Sequence, residues 1–345
     1  MKKILLSILA LLLILTACTK QNNNDENINK ETSKSEESTK ESTEESNNET
    51  NSESVEDTET TVTISSYDAN NKKINVEVPK NPTNVAVLDL AALDTIDALG
   101  KGDSIKGLSK GSTLPGKEAY YENNEIVNLG KLKEVDLEKL VAQKPEIIFI
   151  SGRLASQYEE LSKIAPVVLM SINSTESPFN TAKENILEIA KIYDAEDIAN
   201  EKLNAYEERI NQIKEKSKDS SALIAIVTKG EISLLGNNAR ASLITLDGGF
   251  TNLMKEESTT HGSSVSFESI LDMNPDYIFV LDRDSAINAE GSRLAKDILD
   301  NEIIHKTNAY INERIIYLNP SVWYLAEGGL SSLDTMISDI ESAFK

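Results

Sequence analysis

The most informative pattern of apolar and polar positions in the chain occurs twice. Residues 137–153 read LEKLVAQKPEIIFISGR, and residues 267–283 read FESILDMNPDYIFVLDR. The two stretches align without a gap, and each joins a short helical pattern, an X-Pro turn and an apolar run that ends near an arginine. The copies begin at residues 137 and 267. The units of solenoid proteins repeat after only tens of residues, so this longer repeat predicts two similar lobes instead.

The apolar run of each copy predicts a strand that is buried on both faces. Residues 147–150 and 277–281 contain no charged side chain, which is typical of strands in a mostly parallel sheet. Ligands of open α/β sheets bind beyond the carboxyl ends of the strands, where Arg153 and Arg283 follow the two runs. We therefore expect one arginine from each lobe at a shared ligand site. The alternative is that both are surface arginines that close a turn.

The rest of the pattern predicts an α/β fold with an N-terminal lobe over 61–194, a connecting helix over 195–218 and a C-terminal lobe over 219–345. A continuous helix is a stiffer connection than the paired strands of hinge-bending receptors. Its apolar positions recur close to helical spacing, at Ile198, Leu203, Tyr206, Ile210 and Ile213.

Two local predictions concern segments near the expected site. Residues 155–164 have the pattern of a helix that ends before Pro166. Residues 320–329 contain proline and two adjacent glycines, and they predict a loop that carries Trp323 and Tyr324.

The first 18 residues predict a lipoprotein signal peptide. Lys2 and Lys3 precede an apolar run over 4–15 that is short for a membrane span but has the length of a signal-peptide core. The run ends in LTAC, which resembles the bacterial lipobox, where the cysteine is acylated. Cys18 is the only cysteine of the chain, and the alternative is a spare thiol in an ordinary signal peptide.

Residues 19–60 predict a disordered acidic tether. They consist mainly of Asn, Ser, Thr, Glu and Lys, so the segment cannot repay its ordering entropy by burying apolar surface. The whole chain has a formal net charge of −22 at pH 7, which argues against nucleic acid as a partner. An arginine cluster in so acidic a protein therefore needs a local reason.

Several common catalytic motifs are absent from the sequence. It contains no G-x-x-x-x-G-K-[ST], G-x-G-x-x-G or H-E-x-x-H pattern. Only two histidines are present, which makes a His-rich zinc receptor a poor fit. Nothing positive supports an enzyme.

The candidate chemistry lies after predicted strands, at Arg153, Arg240, Arg283, His261 and Tyr324. Arginine is permanently cationic and forks onto planar anions, so three arginines around one cleft indicate an anionic ligand. Imidazole nitrogen and phenolate oxygen are suitable ligands for iron. The alternatives are a solvated loop histidine and a tyrosine that serves packing.

From about residue 84 onward the chain resembles the iron–siderophore substrate-binding lipoproteins of ABC importers, especially those for ferric catecholates. The matching motifs are NVAVLDLAALDTIDALG at 84–100, KPEIIFISGR at 144–153, NNAR at 237–240, HG at 261–262, NPDYIFVLDR at 274–283 and WYLA at 323–326. The resemblance implies a two-lobed, periplasmic-binding-protein-like fold with a long rigid helix between the lobes and little hinge closure.

The resemblance also implies roles for individual residues. Arg153, Arg240 and Arg283 are expected to surround the anionic chelate. His261 and Tyr324 are expected to coordinate Fe(III) where a tetradentate siderophore leaves two positions open, so the iron is part of the ligand and no intrinsic cofactor is expected.

Two glutamates look like the permease-docking pair of related corrinoid receptors. Glu138 and Glu268 occupy equivalent places in the repeat, and the alternative is an ordinary exposed helix glutamate. One departure from the resemblance is Glu327, which follows WYLA where a serine is expected; an acid there could move Tyr324 or alter the siderophore preference.

The sequence therefore predicts a monomeric, lipid-anchored receptor on the outer face of the cell membrane, which passes a ferric catecholate to an ABC permease. Alternative cargoes on the same fold are haem, a corrinoid or a hydroxamate siderophore. A surface hydrolase or adhesin is the alternative from another class.

Overall fold

The computed structural model describes residues 60–255, 261–289 and 291–345. The predicted signal peptide with Cys18, and residues 19–59 of the predicted tether, lie outside the described residues. None of the helices in the three described stretches has the length and apolarity needed to cross a membrane.

The first lobe is built on a five-stranded parallel sheet with the order β5-β4-β3-β8-β9. A hairpin of β1 and β2 precedes it and, as expected from their alternating pattern, pairs antiparallel. The strands are β1 (Thr61–Tyr67), β2 (Lys73–Pro79), β3 (Val85–Val87), β4 (Ile105–Leu108), β5 (Val127–Asn128), β6 (Gly130–Lys131), β7 (Glu134–Val135), β8 (Ile147–Ser151) and β9 (Val167–Met170). The helices are α1 (Leu90–Ala98), α2 (Glu118–Glu122), α3 (Leu137–Gln143), α4 (Tyr158–Leu161) and α5 (Pro178–Ile192).

The second lobe is built on a six-stranded mixed sheet, in which β14 pairs parallel with β10 and β15, while β11 is antiparallel to β10. Its strands are β10 (Ser221–Thr228), β11 (Glu231–Leu234), β12 (Thr251–Asn252), β13 (Ser263–Ser264), β14 (Tyr277–Asp282) and β15 (Ile315–Tyr317). After the connecting helix α6 (Glu196–Ser217), the helices are α7 (Phe267–Met273), α8 (Arg283–Ala286), α9 (Ala295–Leu299), α10 (Asn308–Ile311), α11 (Pro320–Leu325) and α12 (Leu330–Glu341). The two-lobed α/β fold is thus as expected.

The sequence repeat is also a structural repeat. Helices α3 and α7 both begin after a side-chain cap, Asp136 or Ser266, and both end at a left-handed residue, Lys144 or Asn274. In each copy a proline then leads into a buried strand, β8 or β14, that has a parallel neighbour on both sides. The same local signals therefore produce the same helix–turn–strand unit in both lobes.

Helix α6 packs through a narrow apolar stripe whose members alternate three and four residues apart: Ala199, Leu203, Tyr206, Ile210 and Ile213. The prediction that Ile198 belongs to this stripe is wrong, because its side chain is 44% exposed and Ala199 takes the buried position. One continuous apolar core contains Leu203 together with Phe149 of the first sheet and Phe279 of the second.

Polar contacts also join the lobes on the side of α12. Asp94 of α1 accepts a hydrogen bond of 2.7 Å from the backbone N–H of Ser332, and Thr95 Oγ1 accepts one of 3.2 Å from that of Leu330. Arg209 of α6 binds Glu341 at 2.8 Å. Shared core and shared hydrogen bonds make the connection between the lobes stiff.

Both local predictions near the site need correction. Residues 152–157 form a 3₁₀ helix before the short α4, so Arg153 lies in a helical turn that starts as soon as β8 ends. Tyr324 lies on α11 and not in a loop. Pro320 lies in the first helical turn, directly after the Asn319 cap. Proline suits this position because the first N–H groups of a helix have no partner within the helix, so here it begins a helix.

Candidate functional site

A cavity of about 590 Å³ lies between the two lobes. The first lobe contributes the amino end of α1, the residues after β8 and β9, and one face of α5. The second lobe contributes the loop after β11, His261 and the end of α11. Its polar lining residues include Asp89, Lys133, Ser151, Arg153, Asn185, Arg240, His261, Tyr324 and Glu327.

Tyr324 connects three arginines at this cavity. Its backbone carbonyl oxygen accepts hydrogen bonds from Arg153 Nη2 at 2.7 Å and from Arg240 Nη1 at 3.3 Å. Its hydroxyl oxygen accepts a hydrogen bond of 2.9 Å from Arg283 Nε. The guanidinium carbons of Arg240 and Arg283 lie 4.7 Å and 5.4 Å from the centre of its ring, within the range of cation–π attraction.

Arg153 faces a buried acid, Asp89. This aspartate caps α1 through its carboxylate, which accepts the backbone N–H of Ala92 at 3.1 Å. Burial raises the pKa of Asp89, and the charge of Arg153 opposes that shift. Burial likewise lowers the pKa of Arg153, while Asp89 opposes the change and Arg240 adds to it. Each ion therefore reduces the desolvation cost of the other.

Arg240 pairs with Glu327. Its Nη1 lies 3.1 Å from Glu327 Oε2, and both side chains are largely shielded from solvent. Its buried Nε has no hydrogen-bond partner within the described residues. Glu327 therefore holds the guanidinium without using all of its donors.

Arg283 begins α8 and stands beside its neighbour Asp284, with 3.5 Å between Nη1 and Oδ1. Arg283 is not among the described residues that line the cavity. It reaches the site through the ring and hydroxyl of Tyr324.

His261 lines the cavity on a segment that directly follows the undescribed residues 256–260. Partial burial lowers the pKa of His261, and the nearby charges of Arg283, Lys133 and Arg240 lower it further. The neutral imidazole, which has a lone pair for a metal or a proton donor, is therefore the form expected at neutral pH.

Sequence reasoning missed two charged lining residues. Asp89 follows β3 as Arg153 follows β8, so the rule about carboxyl ends of strands could have found it. Lys133 lies between β6 and β7 on the rim, and the sequence has no signal that would place this short hairpin at the cavity.

Glu138 and Glu268 occupy equivalent positions in the first turns of α3 and α7. Both are exposed, and neither lines the cavity described above. Their role stays a prediction. In the described ranges, no group of three or more His, Cys, Asp and Glu side chains is placed to hold a metal ion.

The profile of a family described as "Periplasmic binding protein" matches residues 85–322. The petrobactin-binding protein YclQ of Bacillus subtilis is 34% identical over 276 residues, covering 79% of this chain and 86% of that protein. The ferric-anguibactin-binding protein FatB of Vibrio anguillarum is 26% identical over 274 residues, covering 78% and 84%.

Solved structures agree with these sequence matches. The crystal structure of YclQ aligns with a TM-score of 0.75, covering 82% of this chain and 99% of that one. The periplasmic catecholate-siderophore binding protein VctP of Vibrio cholerae aligns with a TM-score of 0.75 at 26% identity, covering 81% and 100%.

Proposed function

The chain belongs to the periplasmic binding protein family, and we propose that it is a lipid-anchored receptor that captures an anionic ferric catecholate siderophore and delivers it to an ABC permease. Its relatives are substrate-binding proteins of transporters, so the chain is a binding protein and not an enzyme. The iron is cargo, carried by the siderophore.

The observation that carries the proposal is the convergence of three arginines on Tyr324 beside a cavity between the lobes. Like charges this close repel one another, and a contact between arginine and an anion at 4 Å is worth about 4 kcal/mol at an effective dielectric of 20, before desolvation costs. An anionic ligand would therefore stabilise the arrangement. The petrobactin, anguibactin and catecholate proteins named above support an iron chelate as that ligand.

Two side chains could complete the coordination of the iron. The Tyr324 hydroxyl oxygen accepts a hydrogen bond of 2.9 Å from Arg283 Nε, and His261 offers a neutral imidazole. Phenolate oxygen and imidazole nitrogen are both established iron ligands. In this proposal they bind Fe(III) when a tetradentate siderophore leaves two positions open.

Delivery to the permease requires a membrane anchor and a docking surface. Acylation of Cys18 would anchor the protein on the outer face of the membrane, with residues 19–60 as the tether. Glu138 and Glu268, one on each lobe, would contact the permease. The monomeric state and the division into 61–194, 195–218 and 219–345 belong to the same proposal.

The test combines identification and titration. The protein is purified from iron-starved cells and its retained ligand is identified by mass spectrometry. Fluorescence of Trp323, buried next to Tyr324, is then titrated with a ferric catecholate, a ferric hydroxamate, haem and a corrinoid. Retention of a ferric catecholate and tightest binding of that class support the proposal; tightest binding of haem, a corrinoid or a hydroxamate contradicts it.

A further inference from the structure

The loop after Tyr324 places an acid inside the candidate binding cavity. Glu327 lines the cavity, and its side chain is 14% exposed. One carboxylate oxygen lies 3.1 Å from Arg240 Nη1, and the other accepts a hydrogen bond of 3.2 Å from the backbone N–H of Ala241. The carboxylate is therefore held by two partners and does not move freely in solvent.

The second contact fixes an unusual backbone conformation. Ala241 is fully buried and has a φ of 64°, a left-handed conformation that costs a residue with a Cβ some free energy. The adjacent Arg240 depends on this turn for its direction. Glu327 thus controls both the guanidinium and the backbone that carries it.

Acids accompany all three arginines of the site. Arg153 faces Asp89, Arg240 pairs with Glu327, and Arg283 adjoins Asp284. The charged side chains that line the cavity are three cations, Arg153, Arg240 and Lys133, and two acids, Asp89 and Glu327. The cavity attracts anions, but its net positive charge is small.

We propose that Glu327 is a specificity-determining counter-charge, which makes the cavity prefer ferric catecholates of low net negative charge over highly charged tris-catecholates. This inference rests on the proposed function, because it concerns which members of the proposed ligand class bind. Glu327 lies against Arg240, so any anionic group that approaches this arginine also meets the carboxylate.

The charge of the complex follows from its denticity. Fe(III) with two catecholate dianions carries one negative charge, and with three it carries three. At an effective dielectric of about 20, each additional negative charge roughly 8 Å from a carboxylate is disfavoured by about fourfold once screening is included, so the two additional charges of the tris complex are disfavoured by about tenfold. The tris-catecholate therefore meets the larger repulsion.

The experiment compares two synthetic iron(III) complexes whose ligands carry two or three 2,3-dihydroxybenzoyl groups on the same type of amine linker. Their affinities are measured by fluorescence titration for the wild-type protein and for Glu327→Gln, Glu327→Asp and Glu201→Gln. The Gln variant keeps an oxygen that can accept from Ala241. Glu201, exposed on α6, provides the same loss of net charge away from the cavity.

We expect Glu327→Gln to raise the affinity for the tris complex relative to the bis complex by about tenfold or more. Glu327→Asp, which keeps the charge, and Glu201→Gln should leave the ratio near that of the wild type. An unchanged ratio in Glu327→Gln, or equal changes in the Gln and Asp variants, overturns the inference alone. If the wild-type protein binds neither complex, the proposed function fails and this inference fails with it. Thermal unfolding of each variant confirms that the compared proteins are folded.

Discussion

Arg153 of the first lobe donates a hydrogen bond of 2.7 Å to the backbone carbonyl oxygen of Tyr324 in the second lobe, across 171 residues of sequence. This bond sets the position of α11 against the end of β8. It also leaves the tyrosine ring and hydroxyl to Arg240 and Arg283. One main-chain oxygen thus aligns the two halves of the cavity.

Replacing Arg153 with glutamine should destabilise the protein in a pH-dependent way. Asp89 is almost fully buried, and its pKa is already raised by burial; without Arg153 it rises further. A folded state that holds a proton more tightly than the unfolded state loses stability as pH rises. We expect a loss of about 2 kcal/mol at pH 8 and a smaller loss at pH 5, measured by urea unfolding.

The exposed Arg293 provides the control, since Arg293→Gln removes the same charge without uncovering a buried acid. The double variant Asp89→Asn with Arg153→Gln should recover part of the stability at pH 8. A loss that is equal at both pH values would contradict the pairing of Asp89 with Arg153.

Tyr324→Phe should alter the visible charge-transfer band of the bound ferric complex. The variant keeps the ring that contacts Arg240 and Arg283 but removes the oxygen that would coordinate iron and accept from Arg283. We expect a shifted band and, for a tetradentate complex, an affinity lowered by about tenfold. This decrease corresponds to the loss of at least one charge-assisted hydrogen bond. Tyr310→Phe, on an exposed tyrosine, should change neither; an unchanged band in Tyr324→Phe rules out coordination by this residue.

Much of this site is predictable because it depends on local signals. The repeat places Arg153 and Arg283 after equivalent buried strands, and that part needs only periodicity and the end of a strand. The hydrogen bonds from Arg153 and Arg240 to the Tyr324 carbonyl oxygen could not be predicted from the sequence. Every residue has such an oxygen, and only tertiary packing selects one of them.

The wrong predictions for Tyr324 and Ile198 also arise because tertiary packing is not visible in the sequence. Tyr324 was expected in a loop because Pro320 and the glycines dominate that segment, yet Asn319 and Pro320 together start α11. Ile198 fits a helical stripe almost as well as Ala199, and only the packing of α6 decides between them.

His261→Ala should weaken tetradentate ferric complexes more than hexadentate ones, because only the former leave a coordination position for imidazole. The pKa of His261 is lowered, so the imidazole-dependent part of the affinity should be complete at neutral pH and disappear as pH falls below the usual histidine range. The control is His305→Ala, which removes the other histidine of the chain, paired with Asp300 at 2.7 Å. Equal losses for both kinds of complex would count against coordination by His261.

Gly328→Ala should lower ligand affinity a few-fold in addition to destabilising the fold. Gly328 has a φ of +87°, and an added Cβ would lie 2.6 Å from Cδ1 of Ile172, which lines the cavity. Gly116→Ala is a matched control, since its φ is +81° and no atom lies within 4 Å of the added Cβ. Both variants should lose about 1 kcal/mol of stability, but only Gly328→Ala should affect binding; equal affinities would show that Ile172 adjusts without consequence.

Ligand binding should change the overall dimensions of the protein very little. The core that includes Leu203, Phe149 and Phe279 crosses between the lobes, and the Asp94 carboxylate accepts the Ser332 N–H at 2.7 Å while lying 3.3 Å from Lys117 Nζ. Closure by a hinge would have to break these contacts. Small-angle scattering with and without a ferric catecholate should therefore give radii of gyration that agree within about 0.5 Å, far below the scale of a domain closure.

Asp94→Ala removes the buried acceptor, and we expect it to cost about 2 kcal/mol and to increase the difference between the two radii. A large ligand-dependent change in the wild-type protein would mean that the lobes move despite their common core.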